Sequence, residues 1–218
     1  MTPALLRYLA ADALRAERWV APLTVYLVAC AAGTAVGGTA LGSYGLSASL
    51  LFPVALWVGV GVSNAEDRVQ TAVTVVTVGS ALAVRLGKVA VAFAVCLGLV
   101  PVALLWPVVT GHAVTAADLA AGAAAHVTVA AAGTAAGAAL SRPLVTRPAW
   151  VVIGGVGACL LEILVPGVPP VRPIALLLTD DASVTADLAR RLAVVAAETA
   201  ALATVVVGAG HAAARTRD

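Results

Sequence analysis

Six stretches of nearly uninterrupted apolar residues govern what this chain can fold into. They run over about 19–42, 46–63, 81–109, 118–140, 149–165 and 188–209. A helix of ~20 residues crosses the ~30 Å hydrocarbon core of a bilayer. Within that core every backbone polar group must be paired inside the structure, which helices and closed barrels alone achieve. Composition closes off a soluble alternative. The chain is 61% hydrophobic and 11% charged, where an ordinary soluble domain carries roughly 25% charged residues. So few charges cannot cover the surface of a 218-residue globule. The expected fold is an all-α integral membrane protein, a single domain over 1–218. Its Ala-, Val- and Leu-rich helices would pack through small side chains.

The net charge of +2 is small and there is no basic strip studded with aromatics, so nucleic acid is not an expected partner. Cys30, Cys96 and Cys159 each fall inside an apolar run, without metal-ligand spacing, and read as small buried hydrophobes. The N-terminus does not read as a cleavable signal, since Asp12 and Glu17 interrupt its basic residues and the apolar run behind it is too long.

Residues 2–18 have helical periodicity. Leu5, Leu6, Leu9, Ala10, Ala13 and Ala16 share one arc, with Arg7, Tyr8, Asp12, Arg15 and Arg18 opposite; Leu14 and Glu17 break the pattern. This reads as an amphipathic helix on the membrane surface with its arginines towards headgroups. The alternative is an extension of the next helix.

The first span carries Gly33, Gly37, Gly38 and Gly42 as overlapping small-xxx-small pairs, and a short turn is expected at 42–45. The third span, 81–109, is longer than a bilayer requires, and Pro101 and Pro107 predict a kink or a frayed end. The fourth carries Gly133-xxx-Gly137. Between the fifth and sixth lies an outer segment, 166–187. Pro166, Pro169, Pro170 and Pro173 predict that it begins as a rigid, non-helical stretch. Residues 174–178 are too short to cross and are placed at the outer interface, and Ser183 with Asp187 marks a helix start. Asp180 and Asp181 read as a solvated pair.

Orientation follows from Lys and Arg. Ten of the thirteen lie in the N-terminal helix, the 64–80 excursion with the start of the third span, the 141–148 loop and the C-terminal tail with Arg215 and Arg217. Arg172, Arg190 and Arg191 lie on the other side. Six spans with both termini cytoplasmic satisfy this bias and make 64–80 cytoplasmic.

That excursion holds the densest charge of the first half outside the N-terminus: Glu66, Asp67 and Arg68, then Arg85 and Lys88. Residues 71–78 are rich in β-branched side chains, poor helix formers. There is no P-loop: the only Gly-Lys pair, Gly87-Lys88, is followed by Val89 and lacks a glycine five residues earlier. No metal-ligand cluster or Gly-x-Ser-x-Gly elbow appears. A catalytic site and a bound cofactor are therefore not expected on this chain.

The order of parts resembles the membrane subunit of an ABC-2 type transporter. The likeness covers the whole chain as topology: an interfacial helix, six spans, a coupling helix between the second and third, and an outer segment between the fifth and sixth. Its most specific residues are Asn64-Ala-Glu-Asp-Arg-Val-Gln70, Gly79-Ser80 and Leu86-Gly87-Lys88. The resemblance implies a prokaryotic-type, multi-pass plasma-membrane permease working as a dimer by alternating access. It would be driven by a separate ABC ATPase that binds ATP–Mg and docks on the coupling segment, with Glu66, Asp67, Arg68, Gly79 and Lys88 as coupling residues. The substrate is not readable; an apolar interior suits hydrophobic or amphipathic molecules. A standalone proton-coupled carrier using Glu198 and Glu162, or a non-transporting scaffold subunit, stands beside it.

Three ionisable groups lie inside apolar spans. Glu162, near the outer surface, is expected either to pair with Arg172, Arg190 or Arg191 or to serve the translocation path. Glu198 falls near mid-membrane, where a carboxylate by default suggests function. His126, at similar depth, is its expected hydrogen-bond partner. Either a Glu198–His126 pair locks two helices or Glu198 lines the dimer cavity or translocation path.

Overall fold

A computed structural model describes residues 2–33, 38–180 and 183–215. Gly37, Asp181 and Arg217 lie outside them, and so does the stretch 34–37 of the expected first span. The described residues form ten helices and no strand: α1 Pro3–Arg15, α2 Val20–Gly33, α3 Ala40–Ser63, α4 Arg68–Val78, α5 Ala81–Leu97, α6 Val100–Val109, α7 Ala116–Ala139, α8 Pro148–Leu164, α9 Val171–Asp180 and α10 Ala186–Arg215.

By length and composition, four helical stretches can cross a membrane: α3, α5 continued by α6, α7, and α10; α2 and α8 are shorter apolar helices. This is the architecture of a membrane protein. Its centre is α3 against α7, where glycines let the two backbones meet. A Cβ on Gly59 would lie 2.8 Å from the Thr134 carbonyl oxygen, and one on Gly137 would collide with that of Leu56. The Gly133-xxx-Gly137 pair thus faces α3, as small-residue packing in lipid requires.

Several boundaries differ from the sequence reading. The turn expected at 42–45 is helical. The Thr39 hydroxyl caps α3 by accepting the Gly42 N–H at 3.0 Å, so the second span starts six residues earlier than 46. The expected 81–109 helix is two helices meeting at Gly98-Leu99, with Pro101 in the first turn of α6. Pro101 has no N–H for the Leu97 carbonyl, so that one helical hydrogen bond is lost there. The outer segment begins without helix over 166–170, as its prolines predict, and is helical from Val171. Its last proline, Pro173, falls in the first turn of α9, where a missing N–H is harmless. Thr185, rather than Ser183, caps α10 by accepting the Leu188 N–H.

α1 is a separate helix, since Glu17 turns the chain at φ 52° before α2. Its apolar arc is used within the protein. Leu5, Leu9 and Ala13 are buried, and a Cβ on Gly87 of α5 would lie 2.8 Å from Leu9 Cδ1.

Polar contacts gather one end of the bundle. Arg85 of α5 donates to the carbonyls of Gly210 (3.0 Å) and Ala138 (3.3 Å), near the C-termini of α10 and α7. The Arg142 N–H donates to Asn64 Oδ1 at 3.1 Å, and Arg18 donates to the Asn64 carbonyl at 3.0 Å. α1 and α4 lie at this end; α9 packs on α3 at the other.

Candidate functional site

The charged excursion forms a helix despite its valines and threonines. Asp67 caps α4, its Oδ1 accepting the Gln70 N–H at 2.7 Å, and Gly79 closes it in the left-handed conformation at φ 74°. The Thr74 and Thr77 hydroxyls reach back to carbonyls one turn earlier. Low propensity is overridden by two caps and by what lies behind the helix.

Behind it is Glu66. Its carboxylate is buried and sits 2.7 Å from the Lys88 ammonium, both side chains less than a tenth exposed. Oε1 also accepts hydroxyl hydrogens from Thr74 (2.7 Å) and Tyr8 (3.0 Å). Lys88 further donates to the Ser63 carbonyl (3.4 Å) and Thr71 Oγ1 (3.3 Å). Gln70 donates to the Tyr8 hydroxyl at 2.9 Å. One ion pair thus joins the end of α3, the inner face of α4, α5 and α1. Burial pushes the Glu66 carboxyl up, but hydrogen bonds from Lys88, Thr74 and Tyr8 together with the Lys88 charge outweigh it. The net lies below the ordinary carboxylate value. A buried pair is sustained only when such bonds satisfy both partners.

The outer face of α4 is the reverse of a soluble amphipathic helix. Val69, Val73 and Val76, spaced i, i+4, i+7, are 73%, 61% and 81% exposed, with Thr74 buried on the opposite side. Asp67, Arg68 and Gly79 frame this strip and are exposed. Five expected coupling residues therefore divide. Glu66 and Lys88 form the internal anchor, while Asp67, Arg68 and Gly79 lie on the outer surface. Sequence reading missed Tyr8, Gln70, Thr71 and Thr74. The available signal was the spacing of Gln70, Thr71 and Thr74, which puts three polar groups on one helical face.

The three intramembrane candidates are not brought together. His126 is fully buried, its Nδ1 2.7 Å from the Gly122 carbonyl and its Nε2 3.0 Å from Ser47 Oγ. The Tyr44 ring lies edge-on to it at 6.4 Å. Glu198 is exposed on α10 and, among the described residues, makes no hydrogen bond or ion pair; the expected Glu198–His126 pair does not form. The reason is rotational: α10 meets α7 through Leu188, Leu192, Val195 and Thr199, and Glu198 falls beside that stripe.

Glu162 is buried, but not against an arginine. Its Oε2 accepts the Val171 N–H at 3.0 Å, at the start of α9. Arg172 donates to the Leu164 carbonyl, while Arg190 and Arg191 bind Asp187 at 2.7 and 2.6 Å. A free helix N-terminus took the carboxylate, and a nearer aspartate took two of the arginines.

Among the described residues no group of three or more His, Cys, Asp or Glu side chains could hold a metal ion. Comparison with protein-family models, curated proteins and solved structures found no match.

Proposed function

We propose that this chain is the membrane subunit of an ATP-driven exporter of the ABC-2 type. In this reading α4 is the coupling helix, and a soluble ABC ATPase, carrying ATP–Mg, docks on the strip of Val69, Val73 and Val76. The observation that carries the reading is this inverted helix, apolar outside and ion-paired inside. A surface helix that turns Val69, Val73 and Val76 outward needs something to cover them. The Glu66–Lys88 pair, with the bonds from Tyr8 and Thr71, would pass a push on α4 to α1, α3 and α5 together. Two copies, each with its own ATPase, would move a hydrophobic or amphipathic substrate by alternating access.

The reading takes six crossings: α2, α3, α5 with α6, α7, α8 and α10. α2 and α8, at 14 and 17 residues, would cross with their flanking residues and local bilayer thinning. The α4 end, with exposed Arg7, Arg15, Arg18, Arg68, Arg142 and Arg147, would face the cytoplasm of a prokaryotic-type cell, with both termini.

The test is purification of the full chain from native membranes, with ATP hydrolysis as the readout. An ATPase should co-purify, and Val73→Glu should remove it while leaving the detergent melting temperature unchanged. Glu66→Ala and Gly79→Pro should weaken stimulation of that ATPase. Uptake by the chain alone in liposomes, driven by a proton gradient without nucleotide, would refute the proposal.

A further inference from the structure

At the end of α3 away from α4, a pocket of about 230 Å³ lies between the start of that helix and the loop leading into α7. Thr39, His112 and Asp118 line it, and its lining residues include no lysine or arginine. Its two ionisable groups both offer an acceptor. Asp118 Oδ2 accepts the Thr115 N–H at 2.9 Å and its hydroxyl at 2.8 Å, while Oδ1 accepts no hydrogen bond among the described residues. His112 Nδ1 lies 3.2 Å from the Pro107 carbonyl. A carbonyl only accepts, so Nδ1 carries the proton and Nε2 of the neutral ring is an acceptor. One to two turns deeper along α3 lies a shallow apolar cleft, walled by Leu46 and Leu50 and by Ala103, Trp106 and Pro107 of α6. Pro107 and Ser43 tie the two together. Each walls the cleft; the Pro107 carbonyl accepts from His112, and the Ser43 hydroxyl donates to the Thr39 carbonyl at 3.2 Å.

We propose that pocket and cleft together bind one amphipath, a single apolar chain ending in a primary ammonium group. An ammonium brings a positive charge and three N–H donors. The pocket offers it a carboxylate oxygen and an imidazole nitrogen, with no lysine or arginine to compete. An anionic head would meet the Asp118 carboxylate with no cation to offset it. A metal ion is poorly served, since among the described residues no group of three His, Cys, Asp or Glu side chains could hold one. The chain follows from the cleft. Its enclosed part is only about 20 Å³. An alkyl chain lying there touches α3 and α6 on one side and lipid on the other, and stays out of water on both. The role of such a molecule as the exported substrate rests on the exporter reading; its binding does not.

The experiment uses the full chain in phosphatidylcholine nanodiscs. The probe is a long-chain primary alkylamine with a photoreactive diazirine in its chain, and labelled residues are read by mass spectrometry. Labels should fall on Leu46, Leu50 or Trp106. In the unaltered chain, dodecylamine should compete. Dodecyltrimethylammonium, which has the charge but no N–H, should compete about tenfold more weakly. Dodecyl sulfate, and ethylamine as a head without a chain, should not compete. Asp118→Asn keeps an acceptor for Thr115, so the melting temperature should stay unchanged while half-labelling needs about tenfold more probe. Should that variant fail to fold, the competition series decides by itself. Labelling of exposed Val152 or Ile163 on α8 as heavy as that of the cleft would overturn the proposal. Equal competition by dodecyl sulfate, or wild-type labelling of folded Asp118→Asn, would do the same. No nucleotide enters the measurement, so a labelled chain that recruits no ATPase removes the exporter reading alone. A chain that stimulates an ATPase but takes no label in the cleft removes this inference alone.

Discussion

Each end of the bundle carries a short surface helix fastened by one buried glutamate, and the two are fastened in opposite ways. α9 buries its apolar side, Val171, Ile174 and Leu178, and Glu162 adds a bond to its first backbone N–H. α4 buries Thr74 against the Glu66–Lys88 pair and turns Val69, Val73 and Val76 outward. α9 is thus held by packing within its own chain and would stay in place with its surface in contact with water or headgroups. α4 is held by that ion pair and its hydrogen bonds together with Val75 and Val78, which pack on the core, and it leaves Val69, Val73 and Val76 uncovered. In the exporter reading, that difference makes α4, not α9, the place where the ATPase would act on the bundle.

The sharpest way to break the contrast is Lys88→Met. It strands the Glu66 carboxylate without a counter-charge, and the expected loss is about 3–5 kcal/mol, read as a lower melting temperature in detergent. The double variant Glu66→Gln with Lys88→Met should recover most of it; no recovery would mean the pair is not what holds α4. Glu162→Ala should cost less, about 1–2 kcal/mol, by leaving the Val171 N–H unpaired. Hydrogen exchange should rise within α9 and stay unchanged in α4; a spread of exchange across the bundle would show α9 to be held as α4 is. Gly79→Ala places a Cβ in the left-handed cap of α4 and should cost about 1 kcal/mol, loosening only the last turn of α4 in the same exchange measurement.

The smallest effect near neutrality is that of pH. The Glu66 carboxyl is held below its ordinary value of about 4.5, so its contribution to stability is fully present above that value. It is lost as pH falls through the lower, folded-state value. Exchange protection of α4 should therefore be constant from about pH 7 to about pH 5 and fall only below the ordinary carboxylate range. Loss of protection already between about pH 7 and pH 6 would show that Glu66 is not held in this way.

Much of the fold was legible because hydrophobic runs and glycine spacing are local. The apolar length of α7 and the Gly133–Gly137 contact follow from residues near one another in the chain. Helix ends were less legible. Thr39 and Thr185 act as caps only because their hydroxyls happen to reach a free N–H, and several neighbouring residues could have done so. The 64–80 excursion was legible as charge but not as geometry. Glu66, Asp67 and Arg68 are adjacent in sequence, yet one is internal and two face outward.

What the sequence alone determined is that this is a helical membrane protein whose charge is concentrated towards one side. That follows from the energetics of burying backbone and charge in hydrocarbon, which depends on composition over ~20-residue windows. What only the tertiary structure decided is which charge meets which. Tyr8 and Glu66 are 58 positions apart, and Ser47 and His126 are 79 apart. The direction in which α10 turns Glu198 depends on a rotation of one residue about its axis. Hydrogen bonds need atoms placed to a fraction of an ångström, and that placement is set by the packing of whole helices rather than by any stretch of chain.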